Sequence, residues 1–113
     1  MKADFWEFHK ANKHVYAKFD DYVSEIVARL EAEGKLFQKY VPLRMIFESI
    51  RLDIWIKTLS TDGYKINNNY FKFYAFLWQQ RNPQYAGVFR HRGYVPDTIR
   101  ELIDSNKNRG VRM

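Results

Sequence analysis

The sequence predicts an all-α protein, folded as a single compact helical domain with a helix-turn-helix-like core and at most one short strand or hairpin. Its 113 residues, 46% of them hydrophobic and 18% aromatic, can build one core but hardly two. Apolar residues recur with the 3.6-residue period of a helix along most of the chain. Strand-like alternation is confined to one short segment, so a sheet of any size is not expected.

The N-terminal half reads as two helices and a connector. Residues 4–11 form a short amphipathic pattern behind a possible Asp4 cap, and Asn12 interrupts it. Residues 13–33 carry the most regular helical pattern, which Gly34 ends. Residues 35–42 are short, contain β-prone side chains and end at Pro42, so they are a connector or one brief strand.

Residues 43–59 predict a helix with two apolar stripes. The first stripe repeats at helical spacing and consists of Leu43, Ile46, Phe47, Ile50 and Ile54. The second stripe consists of Met45, Leu52, Trp55 and Ile56. A helix that is apolar nearly all round is buried on two sides or offers one side to a partner.

The C-terminal half begins with a turn at residues 60–63, followed by a helix over about 67–81 that one of Asn67, Asn68 or Asn69 caps. Pro83 opens a further turn or two through residue 89. A last helix runs from Pro96 or Asp97 to about residue 104. The predicted domain therefore covers residues 1–104, with a flexible basic tail over 105–113.

Positive charge is concentrated in the second half of the chain. The formal net charge is +6, and no acidic residue lies between Asp62 and Asp97. Residues 63–96 contain basic residues but no acidic ones, and such an excess predicts a local positive potential. A polyanion or an acidic protein surface is the expected partner.

The usual signatures of catalysis are missing from the sequence. There is no cysteine, and His9 and His14 are five residues apart rather than at the i, i+4 spacing that directs two imidazoles at one zinc ion. The five glycines form no phosphate-binding loop. We therefore expect a non-enzymatic protein with no metal, cofactor or small-molecule substrate. No apolar stretch approaches the roughly 18 residues that span a bilayer, so we expect no membrane association and a cytoplasmic location.

Double-stranded DNA is one expected partner. In a helix-turn-helix arrangement, residues 43–59 would be the first helix and 67–81 the second, although about eight connecting residues exceed the three or four of a tight motif. Cationic and amide side chains in and after the second helix would contact phosphates or base edges. The predicted contact residues are Lys65, Asn68, Asn69, Lys72, Arg81, Arg90 and Arg92.

The alternative is a protein antagonist that binds an acidic host surface. Interface hot spots favour large aromatic side chains, so Trp55, Tyr70, Phe73 and Phe76 are the predicted anchors. A homodimer formed through the same aromatics is compatible with either partner.

Residues 5–92 resemble a group of small proteins encoded by temperate bacteriophages and prophages. Four pieces carry the resemblance: FWEFHKANKHVY at residues 5–16, IFESIR at 46–51, KINNNY at 65–70 with Tyr74 and Ala75, and Pro83 with Gly87 and FRHR at 89–92. The resemblance implies a phage protein in the cytoplasm of a bacterial host. It also implies a DNA-binding regulator or replication accessory, or an anti-CRISPR-like antagonist of a defence complex. Lys13 stands where a proline is expected, and Phe76 stands where a basic residue is expected. These departures weaken the hypothesis that the second helix binds in the major groove of DNA.

Overall fold

The protein is all-α. The computed structural model describes residues 2–60, 66–91, 93 and 95–111, with the side chains of residues 2, 3, 68 and 108–111 left aside. The helices are α1 (Lys2–Ala11), α2 (Lys13–Ala32), α3 (Leu43–Thr58), α4 (Asn68–Arg81) and α5 (Asp97–Val111), and a 3₁₀ turn spans Pro83–Tyr85. In these ranges no residue belongs to a strand, and the only β-type pairing is a single bridge between Leu36 and Lys39. The predicted fold class is confirmed.

Helices α1 and α2 meet at Asn12, as the sequence predicts. The Asn12 side-chain amide donates a hydrogen bond to the Phe8 carbonyl oxygen at 3.0 Å, which satisfies the end of α1. Helix α2 then buries the 3.6-period stripe of Val15, Phe19, Val23 and Val27. Asp4 lies within the first turn of α1 rather than capping it.

The connector between α2 and α3 is held by backbone hydrogen bonds at both of its ends. Gly34 adopts φ +67°, a left-handed conformation that glycine accepts at low cost, and the Lys35 N–H donates to the Leu30 carbonyl oxygen at 2.8 Å. The Val41 N–H donates to the Val88 carbonyl oxygen, also at 2.8 Å. This bond fixes the start of α3 against the segment that follows α4.

Helix α4 is the central element of the core. It packs against α2, α3, α5 and the 3₁₀ turn. Phe71, Tyr74 and Trp78 are almost completely buried on it, and the Trp78 indole N–H donates to an Asp20 carboxylate oxygen at 2.8 Å. Burial of this extent explains the nearly continuous apolar pattern of α4.

Helix α4 has no open face over residues 74–79. A recognition helix must keep one face open to enter a major groove, yet every side chain of residues 74–79 is buried. The helix is apolar nearly all round because neighbours cover it from several sides. Residues 61–65 of the connection from α3 lie outside the described residues.

The C-terminal helix is longer than predicted. Helix α5 continues past residue 104 to Val111, and Asn106 is only 4% exposed. Its amide group donates hydrogen bonds to the carbonyl oxygens of Pro83 and Ala86, both at 2.8 Å. The prediction of a loose tail from residue 105 is therefore wrong at its start, because a polar side chain that appears solvated in sequence binds the turn after α4.

Candidate protein-binding surface

The outer face of α3 carries a set of large apolar side chains that nothing in the described chain covers. We call this set the outer stripe, and its exposed fractions are 68% for Met45, 55% for Leu52, 43% for Trp55, 60% for Ile56 and 75% for Leu59. At 100° per residue, Met45, Leu52 and Ile56 fall within about 40° around the helix axis, and Trp55 flanks them. Leu59 follows directly as the C-cap residue.

The opposite side of α3 faces the core. Ile46 and Ile50 are buried, and Leu43, Phe47 and Ile54 pack against the core from partly buried positions. Helix α3 therefore divides its two apolar stripes between the core and the solvent. The first stripe of the sequence lies inside, and the second lies outside.

Polar contacts fix the orientation of α3 about its own axis. The Tyr22 hydroxyl on α2 donates to an Asp53 carboxylate oxygen at 2.6 Å, and the Lys18 ammonium lies 3.8 Å from the same oxygen. The hydrogen bond to Asp53, together with burial, raises the pKa of the Tyr22 hydroxyl, which therefore stays protonated and continues to donate.

On the other flank, the Arg51 guanidinium donates to a Glu48 carboxylate oxygen at 3.1 Å and to the Ile66 carbonyl oxygen at 3.3 Å. It also stacks over the Phe71 ring at 5.7 Å. Contacts on both flanks prevent α3 from rolling its outer stripe into the core.

The extent of the outer stripe is what makes it a candidate site. Single exposed apolar residues are ordinary, whereas a contiguous apolar patch of several hundred Å² commonly marks a binding surface. A large apolar side chain carries on the order of 200 Å² of surface. At the observed exposures, the outer stripe presents roughly 600 Å² to water.

The predicted aromatic anchors divide into exposed and covered side chains. Trp55 belongs to the outer stripe, while Tyr70 and Phe73 are partly buried against the core. Phe76 is 7% exposed and packs against His91 with ring centroids 5.1 Å apart. The prediction of Phe76 as an accessible anchor is wrong, because α4 is the central helix. The second apolar stripe of α3 was the sequence pattern that indicated the more exposed anchors, Met45, Leu52, Trp55 and Ile56.

The predicted cationic residues do not converge on one surface. The Lys72 ammonium lies 5.9 Å from the centre of the Phe76 ring, whereas the Arg81 guanidinium lies 5.0 Å from the centre of the Tyr16 ring. Nine residues correspond to two and a half helical turns, which places these two cations on opposite sides of α4.

The remaining predicted nucleic-acid contacts lie at the ends of α4 or beyond it. Asn69 is exposed in the first turn of α4, where its backbone N–H donates to the Asn67 side chain at 2.9 Å. Arg90 is exposed. Lys65 and Arg92 lie outside the described residues, and so does the side chain of Asn68.

Arg90 lines an open cavity of ≈ 440 Å³ between the segment after α4 and helix α5. Arg100 and Asp104 of α5 also line it, together with His91 and Tyr40. Two arginines face one carboxylate here, so the cavity has a modest positive charge.

The buried amide of Gln79 is hydrogen-bonded to two residues that line this cavity, Gly87 and His91. The Gln79 side chain is fully buried; its oxygen accepts from the Gly87 N–H at 2.8 Å, and its nitrogen lies 2.8 Å from His91 Nε2. Because the amide nitrogen also donates to the Ala75 carbonyl oxygen at 3.1 Å, it acts as a donor, and His91 Nε2 accepts. Burial, and then the Lys72 charge, lower the pKa of His91, which agrees with a neutral ring.

The other two histidines, His9 and His14, lie on the two N-terminal helices. Burial, followed by the charges of Arg81 and Lys13, lowers the pKa of His9, and His14 is exposed on α2. Among residues 2–60, 66–91, 93 and 95–111, no three histidine or carboxylate side chains lie close enough together to hold a metal ion. No helix in those ranges has the length and apolar character needed to cross a bilayer.

The candidate site therefore rests on the chain's own geometry. Comparison of the chain with protein-family models, curated proteins and solved structures found no match.

Proposed function

We propose that the protein is a non-catalytic binding protein that acts by protein–protein contact through the outer stripe of α3. The observation that carries this proposal is the exposure of four large apolar side chains on α3 and of Leu59 directly after it, while the opposite side of α3 is anchored in the core. Burying such a surface against a complementary partner is the main source of association free energy in most interfaces.

The border of the outer stripe supports a protein partner. The exposed side chains of Arg44, Glu48 and Lys57 lie beside the apolar residues on α3. An apolar centre within a charged rim is the usual composition of a specific protein interface. The resemblance to phage proteins suggests a host complex as the target, so the protein would be an antagonist of a bacterial defence system.

An affinity capture from nuclease-treated host lysate tests this proposal. The bait is compared with a Leu52→Asp, Ile56→Asp variant, and with Ala28→Asp, which places one such charge on the exposed face of α2. We expect the wild type and Ala28→Asp to retain one stoichiometric protein that the double variant loses. Circular dichroism checks that all three remain helical. Equal recovery of that protein by the double variant would contradict the proposal.

Duplex DNA binding is the second candidate function. In the described residues, neither Arg81 nor Arg90 forms an ion pair with an acidic side chain, and both are exposed. Phosphate contacts of this kind bind without sequence preference and weaken steeply as salt rises.

The DNA candidate is tested by titrating a fluorescent duplex at several salt concentrations with the wild type and an Arg81→Ala, Arg90→Ala variant. DNA binding predicts a shallower salt dependence for the variant, by about one counterion for each phosphate that the variant can no longer neutralise. Undetectable binding at moderate salt would exclude it.

A further inference from the structure

We infer that the open cavity between the segment after α4 and helix α5 binds the phosphate group of a small phosphate ester that also carries hydroxyl groups, such as a sugar phosphate. We call it the arginine cavity, after Arg90 and Arg100, which both line it. None of the described residues that line it belongs to α3 or to the outer stripe. The inference therefore goes beyond the proposed function and does not depend on it.

Two buried amides hold the walls of the arginine cavity in place. Gln79 is fully buried on α4, and its side chain is hydrogen-bonded to Gly87 and His91 in one wall. Asn106 of α5, only 4% exposed, donates to two carbonyl oxygens at the start of the same segment. A site whose walls are already ordered loses little conformational freedom when a ligand binds. The cavity is therefore pre-formed, as most small-molecule sites are.

The arginine cavity contains more positive than negative charge. Arg90 and Arg100 come from different elements, and neither forms an ion pair with a carboxylate among the described residues. Arg100 and Asp104 are four residues apart on α5, a spacing at which ion pairs often form, yet this pair is not formed. With two guanidinium groups facing one carboxylate, an anionic ligand would neutralise the excess charge.

The Gln79 amide also determines which nitrogen of His91 can donate. Because the amide donates to Nε2, the proton of the neutral His91 ring lies on Nδ1. Within the described residues, no hydrogen bond occupies Nδ1, and this atom is not among those closed to solvent. The His91 ring lines the cavity, so its Nδ1–H is a third donor for an anion.

These donors favour a tetrahedral phosphate over a planar carboxylate. Each guanidinium presents a planar fork of N–H groups that pairs with two oxygens. Two such forks from different elements, together with the His91 N–H, offer more donors than the two oxygens of one carboxylate can use. A phosphate ester has three terminal oxygens that point in different directions.

The rest of the arginine cavity indicates an organic ligand rather than a bare ion. Its volume of ≈ 440 Å³ lies within the range of small-molecule sites. The Asp104 carboxylate repels a bare phosphate, but it accepts a hydrogen bond from a hydroxyl group that lies beside the phosphate. Tyr40, which is 54% exposed, lines the same cavity and adds a hydroxyl group and an aromatic ring. A hydroxyl-bearing phosphate ester matches all of these groups.

Isothermal titration calorimetry at pH 7 and low salt tests the ligand class with ribose 5-phosphate, inorganic phosphate, ribose and malate. Malate is a hydroxyl-bearing dianion whose charges are carboxylates. We expect ribose 5-phosphate to bind with a dissociation constant between about 10 µM and 1 mM, more tightly than inorganic phosphate or malate, and ribose not to bind. Absence of saturable binding by ribose 5-phosphate, or tighter binding of malate, would overturn the inference.

Variants locate the binding site. We expect Arg90→Ala and Arg100→Ala each to weaken binding of ribose 5-phosphate by about fivefold or more. Arg44→Ala removes the same charge from an exposed position on α3 and should change it by less than about twofold, because distant charges are screened. Circular dichroism checks that the variants remain helical. Equal losses for Arg44→Ala and Arg100→Ala would show attraction by net charge alone and would overturn the site.

Asp104→Asn and His91 test the two remaining contacts. Asp104→Asn should bind inorganic phosphate more tightly, because it removes the repelling charge, and should reduce the preference for ribose 5-phosphate. In proton NMR spectra, bound ribose 5-phosphate should raise the pKa of His91, because a nearby anion favours the charged ring, while the pKa of the exposed His14 stays unchanged. An unchanged pKa of His91 at saturating ligand would place the phosphate elsewhere and contradict the inference.

Discussion

Asn106 offers the sharpest test of how the C-terminal helix is held. Its side chain is 4% exposed, and its two amide hydrogens satisfy the carbonyl oxygens of Pro83 and Ala86. Replacing it with alanine removes both donors: the buried Ala86 carbonyl oxygen loses this partner, whereas the Pro83 carbonyl oxygen keeps the Ala86 N–H at 3.2 Å. An unsatisfied buried group costs about 1–3 kcal/mol. We therefore expect Asn106→Ala to lower the free energy of unfolding by about 2 kcal/mol.

The assay is urea and thermal unfolding followed by circular dichroism. For a domain of this size, a loss of that magnitude lowers the melting temperature by roughly 10 °C. Asn106→Asp keeps the shape of the side chain but presents an oxygen to the carbonyl groups, so we expect at least as large a loss at pH 7. Lys107→Ala, at an exposed neighbouring position, is the control and should change stability by less than about 0.5 kcal/mol. If Asn106→Ala were as stable as this control, α5 would not be anchored past residue 104, and the reasoning would be refuted.

Three further predictions concern other parts of the fold. Gln79→Leu removes the acceptor of the Gly87 N–H and the donor to His91, so unfolding should become easier by about 2–4 kcal/mol; an unchanged urea midpoint would contradict this. Because burial and Lys72 lower the pKa of His91 in the folded state, the unfolded chain binds more protons just below pH 6.5. Stability should therefore be complete above that pH and fall as the pH drops below it. The urea midpoint at successive pH values measures this fall, which His91→Gln should reduce, and identical slopes for the two proteins would rule it out. Leu59 adopts φ +54° at the end of α3, a conformation that asparagine tolerates better, so Leu59→Asn should stabilise the monomer by about 0.5–1 kcal/mol. Lower thermal stability of Leu59→Asn at micromolar protein concentration would show that strain at this residue is not the dominant effect.

Much of the candidate site was visible in the sequence. The two stripes of α3 follow from residue spacing alone, and so does the conclusion that the helix is buried on two sides or serves a partner. The half-turn separation of Lys72 and Arg81, which prevents one continuous basic face on α4, was also readable. These features depend only on helix geometry.

Other features depended on contacts between distant segments. Nothing near Asn106 in the sequence indicates that its amide would bind carbonyl groups 20 and 23 residues earlier, so the end of α5 was misread as a loose tail. Gln79 is a polar residue near the end of α4, yet it is fully buried because its amide is hydrogen-bonded to Gly87 and His91, which lie further along the chain. Phe76 was predicted as an accessible anchor, yet it is buried because residues distant from it in sequence, such as His91, pack against its ring.

The sequence by itself determined where four of the five described helices begin and most of the places where one ends, because caps, glycines, prolines and the 3.6-residue period act within a few residues. Only the tertiary structure decided which apolar face of α3 enters the core and that α4 is central rather than exposed. Those outcomes depend on which helices compete for the same buried surface. A local sequence pattern indicates that an apolar helix face must be covered. The packing of the whole core determines which face is covered and which helices cover it.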